Sequence, residues 1–234
     1  MLESRGIATI VIGLVRRHME QTRPPRGLFV PFQLGRPLGE PEDPAFQHRV
    51  LAHALGLLER ADGPVILEDF PEDAPNWHDT PGWTPPDLPA CARPDTPDGW
   101  RVAFAAELAA LRPAWDAARG RFGRSSVGLT AREPEEWPAI CARFLAGETP
   151  PIPPIAAPAL GLRHLCDDIK ALYGEAAQAT GRAPSARQVD GWFWRESIAG
   201  KMLLALRAVA LGSPSNALRT AGGRFFVPAP YLAE

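Results

Sequence analysis

A chain of 234 residues with 45% hydrophobic content is long enough to bury a core, as one large domain or two small ones. Its formal net charge of −2 at pH 7 argues against a nucleic-acid or polyanion partner, and no apolar run approaches the roughly 18–20 residues of a membrane span, so no membrane partner is expected either. Three widely separated cysteines, Cys91, Cys141 and Cys166, with no CxxC pair, fit a reducing cytoplasm rather than a disulfide scaffold.

The opening MLESRGIATIVIGLVRR has too short an apolar stretch, and no small-residue cleavage site, for a signal peptide. Within it, residues 7–14 form a β-branched apolar run of strand length, and residues 15–22 read as a short helix that must stop before Pro24 and Pro25. Residues 27–32 are a second strand, with Pro31 marking its end or an edge. From Pro44 to Arg60, Phe46, Val50, Leu51, Ala54, Leu57 and Leu58 share one helical face, and Pro44 suits a first turn. Gly63 and Pro64 end that helix, and residues 65–70 are a third strand. Strands alternating with helices predict a small parallel sheet with right-handed crossovers.

Residues 71–97 are rich in Pro, Asp and Trp and have no period. So long a structureless stretch is expected to be a tether or an arm lying on a neighbouring surface, and Trp77 and Trp83 favour the docked arm. The remainder is mostly helical. Residues 98–119 form a helix that Pro113 is expected to kink or break, residues 125–130 are a further candidate strand, and residues 133–146 are a helix opened by Glu133, Pro134 and Glu135. After a Pro-rich hinge at 150–158 come two longer helices, at about 158–180 and 186–211; Ser185 and Gln188 have capping-box spacing, and Gly181 and Gly212 are plausible stops. The fold class is therefore α/β: a small parallel-sheet β-α unit over residues 1–70, a Pro/Trp-rich linker over 71–97, and a mainly α-helical region over 98–234.

The loop at residues 32–43, FQLGRPLGEPED, is the first candidate site. Ligands of open α/β sheets sit at the carboxyl ends of the strands, and this loop leaves such an end. Gly35 and Gly39 allow close backbone approach, Arg36 can hold a carboxylate, and Asp43 stands where the next helix offers its N-terminal amides. The plain alternative is a rigid Pro/Gly turn that only sets the helix angle. Neither GxGxxG nor GxxxxGK[ST] is present, so no nucleotide loop is expected and no cofactor is evident.

Four words stand in fixed order around this loop: Gly6-Ile7-Ala8-Thr9, Pro37-Leu38-Gly39-Glu40-Pro41-Glu42-Asp43, Ala54-Leu55-Gly56-Leu57-Leu58-Glu59, and Pro64-Val65-Ile66-Leu67-Glu68-Asp69-Phe70. In that order the segment Gly6–Phe70 resembles the C-terminal end of the selenoprotein B subunit of the glycine/sarcosine/betaine reductases, a family grouped with D-proline reductase. That region of the family reads as a Gly-Ile-Pro-Thr strand, a helix, and a strand running into a PLGxP loop. An acidic step, a helix ending in ALxxLE and a Pro-Thr-Val-Phe strand follow. The resemblance implies an oxidoreductase-like protein, puts Gly35, Arg36, Gly39 and Asp43 on the substrate side, and calls for a redox partner or companion subunit. The family attacks an activated amine with a selenocysteine or cysteine carried upstream of this segment. No cysteine of this chain falls in the matching part, and Ala8 replaces the family's proline. The catalytic residue is thus unassigned, and the nucleophile is expected from codons upstream of Met1 or from a partner, because only a low-pKa chalcogen can perform such a cleavage.

A second constellation lies in the two long helices. His164 and Asp168 are spaced i,i+4 with Glu175 seven residues on, while Trp192 and Glu196 share a face of the next helix. Two antiparallel helices would gather His164, Asp168, Glu175 and Glu196 as carboxylate–histidine bundles do, although the ExxH pairs of di-metal sites are absent, so no metal is assigned. The bland alternative is a set of hydrogen-bonded polar residues between helices. Trp192, Phe193 and Trp194 read as core, with an indole-walled pocket as the alternative; Cys166 reads as a buried apolar residue, and Cys91 as the exposed thiol. Three functions stay open: a reductase-like enzyme, a non-catalytic subunit or small-molecule-binding protein with a helical docking region, and a helical metal-dependent enzyme.

Overall fold

The structure is a computed structural model that describes residues 2–32, 34–39, 43–74, 79–179 and 181–232. It is an α/β protein in two compact units, Met1–Asp79 with Ser185–Arg187, and Thr80–Pro184 with Gln188–Glu234.

The first unit holds a three-stranded sheet, β1 (Val11–Gly13), β2 (Arg26–Phe29) and β3 (Ile66–Asp69), in the order β1-β2-β3 with every pairing parallel. Helix α1 (Arg16–Thr22) joins β1 to β2, and α2 (Pro44–Gly56) joins β2 to β3. Register places Val11, Gly13, Gly27, Phe29 and Leu67 on one face, and Ile12, Leu28, Ile66 and Glu68 on the other. Met19 of α1 lies over Gly13 and Gly27 on the first face. Phe46, Val50 and Ala54 of α2 pack with Leu28, Val30, Ile66 and Phe70 on the second, as their shared helical face requires. Because the strand order never reverses, helices on opposite faces give the two crossovers opposite hands, so only one follows the expected right-handed rule. The seven-residue α1, closed by Arg23 at φ +48° and by Pro24-Pro25, makes a return too tight for the usual long crossover.

The second unit is helical, with α3 (Pro97–Phe122), α4 (Trp137–Leu145), α5 (Pro158–Ala176), α7 (Ile198–Gly212) and α8 (Asn216–Ala221) packed around one core; the short α6 (Ala186–Gly191) precedes α7. Three expectations change here. Helix α3 runs unbroken through Pro113. Pro113 is itself exposed, and the buried stripe of Trp100, Phe104, Leu108, Leu111, Trp115 and Ala118 outweighs one missing hydrogen bond. Residues 125–130 are a loop rather than a strand, because the amides of Gly128, Leu129 and Thr130 all turn toward one carboxylate instead of alternating as a ladder requires. The helix expected over 186–211 is divided at Ser197 into α6, a π turn (Trp192–Glu196) and α7. The wider turn brings Trp192, Phe193 and Trp194 all to the buried side, each under 5% exposed. A second π turn (Gly222–Phe226) follows α8.

Residues 80–96 are the docked arm. Thr80 is gripped by both ends of the Gln188 amide, at 2.8 and 3.1 Å, and Trp83 Nε1 donates to the Ala177 carbonyl at 3.2 Å. Trp83 and Leu88 pack against the helical core. Trp77 lies outside the described residues.

Candidate functional site

The loop after β2 is built on a turn in which the Gly39 N–H donates to the Arg36 carbonyl at 3.0 Å. Gly35 and Gly39 have φ of +89° and +83°, the left-handed region that suits glycine. A Cβ on Gly39 would lie 2.5 Å from the Phe46 ring, so the loop backbone closes directly onto α2. Asp43 is the N-cap of α2, its carboxylate accepting the Phe46 N–H at 3.0 Å ahead of Pro44. Arg36 is half-buried. Beneath the loop Phe32, Phe46 and Phe70 form an aromatic triad with centroids 5.4, 5.8 and 6.0 Å apart, and His53 meets Phe70 edge-on while its Nε2 lies 3.3 Å from Glu68. Gln33, Glu40, Pro41 and Glu42 lie outside the described residues.

Gly35, Arg36 and Gly39 thus lie in the loop that leaves β2, and Asp43 stands at the head of α2 with a structural task. An N-cap carboxylate takes an amide that a ligand anion would otherwise use.

The helical constellation divides. Asp168 is fully buried and accepts four hydrogen bonds, from the N–H groups of Gly128 and Leu129 at 2.9 Å each, from the Thr130 N–H at 2.9 Å and from the Thr130 hydroxyl at 2.6 Å. Two turns further along α5, Glu175 accepts from Trp115 Nε1 and the Ser125 hydroxyl at 2.8 Å each, and from the Ser126 N–H at 2.5 Å. Their i,i+7 spacing therefore clasps one loop at two points, the bland alternative of the sequence. His164 is half-buried, and its buried Nδ1 has no hydrogen-bond partner among the described residues. Glu196 is exposed, and together with Trp192 it lines a hollow under the arm, where no bond among the described residues joins it to Asp168 or Glu175. Among the described residues no three His, Cys, Asp or Glu side chains come together as metal ligands.

No protein-family model, no curated protein and no solved structure matches this chain.

One buried network was not foreseen. Glu107, 1% exposed on α3, accepts the Tyr173 hydroxyl at 2.5 Å and the N–H groups of Ile198 and Ala199 at 2.8 and 3.0 Å, which are the first amides of α7. Burial, with the Glu107 charge beside it, holds the Tyr173 phenol well above its ordinary pKa. A lone Glu among the apolar positions of a helix, with no cation at i±4, was the only signal for it. The cysteines are equally decided by burial: Cys141 and Cys166 are inaccessible, burial pushes the Cys166 thiol up to about 12 and raises Cys141 well above its usual value, and neither is a nucleophile near neutral pH. Cys91 is exposed on the arm.

Among the described residues no helix is long and apolar enough to cross a membrane.

Proposed function

We propose that the N-terminal unit is a small-molecule-binding β/α module akin to the B subunits of the glycine/sarcosine/betaine and D-proline reductases. In this reading the chain is an oxidoreductase-like component whose chalcogen nucleophile comes from a companion subunit. The observation that carries the reading is the loop at the carboxyl end of β2. There two positive-φ glycines and a half-buried arginine stand at the edge where parallel sheets present ligands. The four sequence words that carry the resemblance span this same sheet and loop. The thiol inventory favours an outside nucleophile, since the first unit contains no cysteine and two of the three in the chain are locked in the helical core.

Calorimetric titration of glycine, sarcosine, betaine and D-proline into the purified chain tests it. At least one should give a saturable heat that Arg36→Ala weakens about tenfold or more, the loss of one charge-assisted pair. No saturable heat from any of the four would reject the reading.

A further inference from the structure

We propose that the hollow under the arm of the helical unit is a binding site for a small organic ammonium ion. The arm is pinned at one end by the Thr80–Gln188 and Trp83–Ala177 hydrogen bonds, and at the other by Thr96, whose hydroxyl caps α3 by accepting the Gly99 N–H at 3.1 Å. Between those points it bows over a space of about 400 Å³, walled by Pro85, Pro86 and Pro89 on the arm and by Trp192, Glu196 and Ile198 below. The space lies wholly within the helical unit, and its floor is the π turn that divides α6 from α7.

Two carboxylates line the hollow, Glu196 at this floor and Asp87 on the arm. Neither carboxylate forms an ion pair among the described residues, and the cations near Glu196 in the chain are turned elsewhere: the Arg195 guanidinium lies over the Tyr231 ring, 5.9 Å from its centroid, and Lys201 donates to the Glu196 main-chain carbonyl at 3.1 Å. By contrast Glu107, Glu135, Glu136, Glu148 and Glu175 of the same unit each accept from a tyrosine, an arginine, a tryptophan or a main-chain N–H. Two carboxylates beside an indole and proline rings suit a cation that carries its own apolar surface, with C–H groups against the rings and charge against Glu196 and Asp87. A hard metal ion would need more oxygen ligands than these two side chains bring, and an anion would meet both charges.

Tetramethylammonium chloride titrated into the full chain by calorimetry is the probe, with sodium chloride and the uncharged isostere tert-butanol as controls. The ammonium salt should saturate, and the two controls should not. Glu196→Gln, an exposed position whose fold is checked by circular dichroism, should weaken binding about tenfold or more. The Cys91 thiol, at the edge of the hollow, should react more slowly with a thiol reagent when the ammonium ion is bound. The proposal is overturned by no saturation, by tert-butanol binding as tightly, by Glu196→Gln binding unchanged, or by Cys91 reactivity that the ligand does not alter.

Discussion

Asp168 shows how a residue that reads as chemistry in one dimension becomes architecture in three. Four donors saturate its two oxygens, so the carboxylate has no lone pair directed at a ligand. Asp168→Asn replaces one acceptor oxygen by a donor facing other donors. It should lower unfolding stability by about 2–4 kcal/mol in urea denaturation, since a buried charge-assisted network is left half-satisfied. Unchanged or increased stability would instead mark Asp168 as a strained functional group. The buried thiol of Cys166 gives a pH prediction. Its folded-state pKa, about 12, is raised above an unfolded value near 8.5, so the unfolded state loses its proton first. The stabilisation is complete below pH 8.5 and is lost as pH rises through 12. Between pH 9 and 11 Cys166→Ala should therefore show a stability–pH slope shallower by about 1.4 kcal/mol per pH unit than the parent chain, and equal slopes would contradict the burial.

At the scale of elements, the boundaries that departed from expectation are those where a contact far along the chain overrides local propensity. Pro113 removes one hydrogen bond from α3 but sits on its exposed face. Pro113→Ala should accordingly raise the urea midpoint, by about 1–3 kcal/mol of stability, because the backbone already holds a helical geometry that alanine prefers. The break before α7 is the reverse case. Ser197 caps α7 by accepting the Gly200 N–H at 2.9 Å and donates to the Phe193 carbonyl at 2.6 Å. A Cβ on Gly200 would lie 2.2 Å from that same carbonyl oxygen. Gly200→Ala should therefore be destabilising despite alanine's better helix propensity, by about 1–3 kcal/mol on thermal unfolding, as overpacking against backbone is. The helix expected from sequence runs straight through Ser197, although Arg195-Glu196-Ser197-Ile198 carries an N-cap signal, a polar run ending in serine before an apolar helix. The loop at 125–130 was not legible, since nothing in Ser125–Thr130 announces a carboxylate 38 residues away.

At the scale of the whole molecule, two separate cores make two cooperative units plausible targets for one experiment. Leu28, Val30, Phe46, Val50 and Phe70 belong to one cluster, while Phe104, Trp137, Leu165, Met202 and Phe226 belong to another. Phe46→Ala opens only the first and should lower its transition by about 3–5 kcal/mol, leaving the main helical transition in place by far-ultraviolet circular dichroism. A single transition that moves as one would show that the two units unfold together. The sequence by itself determined the class of the fold and the position of the three described strands and most described helices, because period and proline placement are local properties; for the arm it only favoured docking, on indole hydrophobicity. Only the tertiary structure decided which polar residues were free. Asp168 and Glu175 close a loop and Asp43 caps a helix, whereas Glu196 and Asp87 form no ion pair among the described residues and line a hollow. Hydrogen-bond saturation depends on partners distant in sequence, and spacing along one helix carries no information about them.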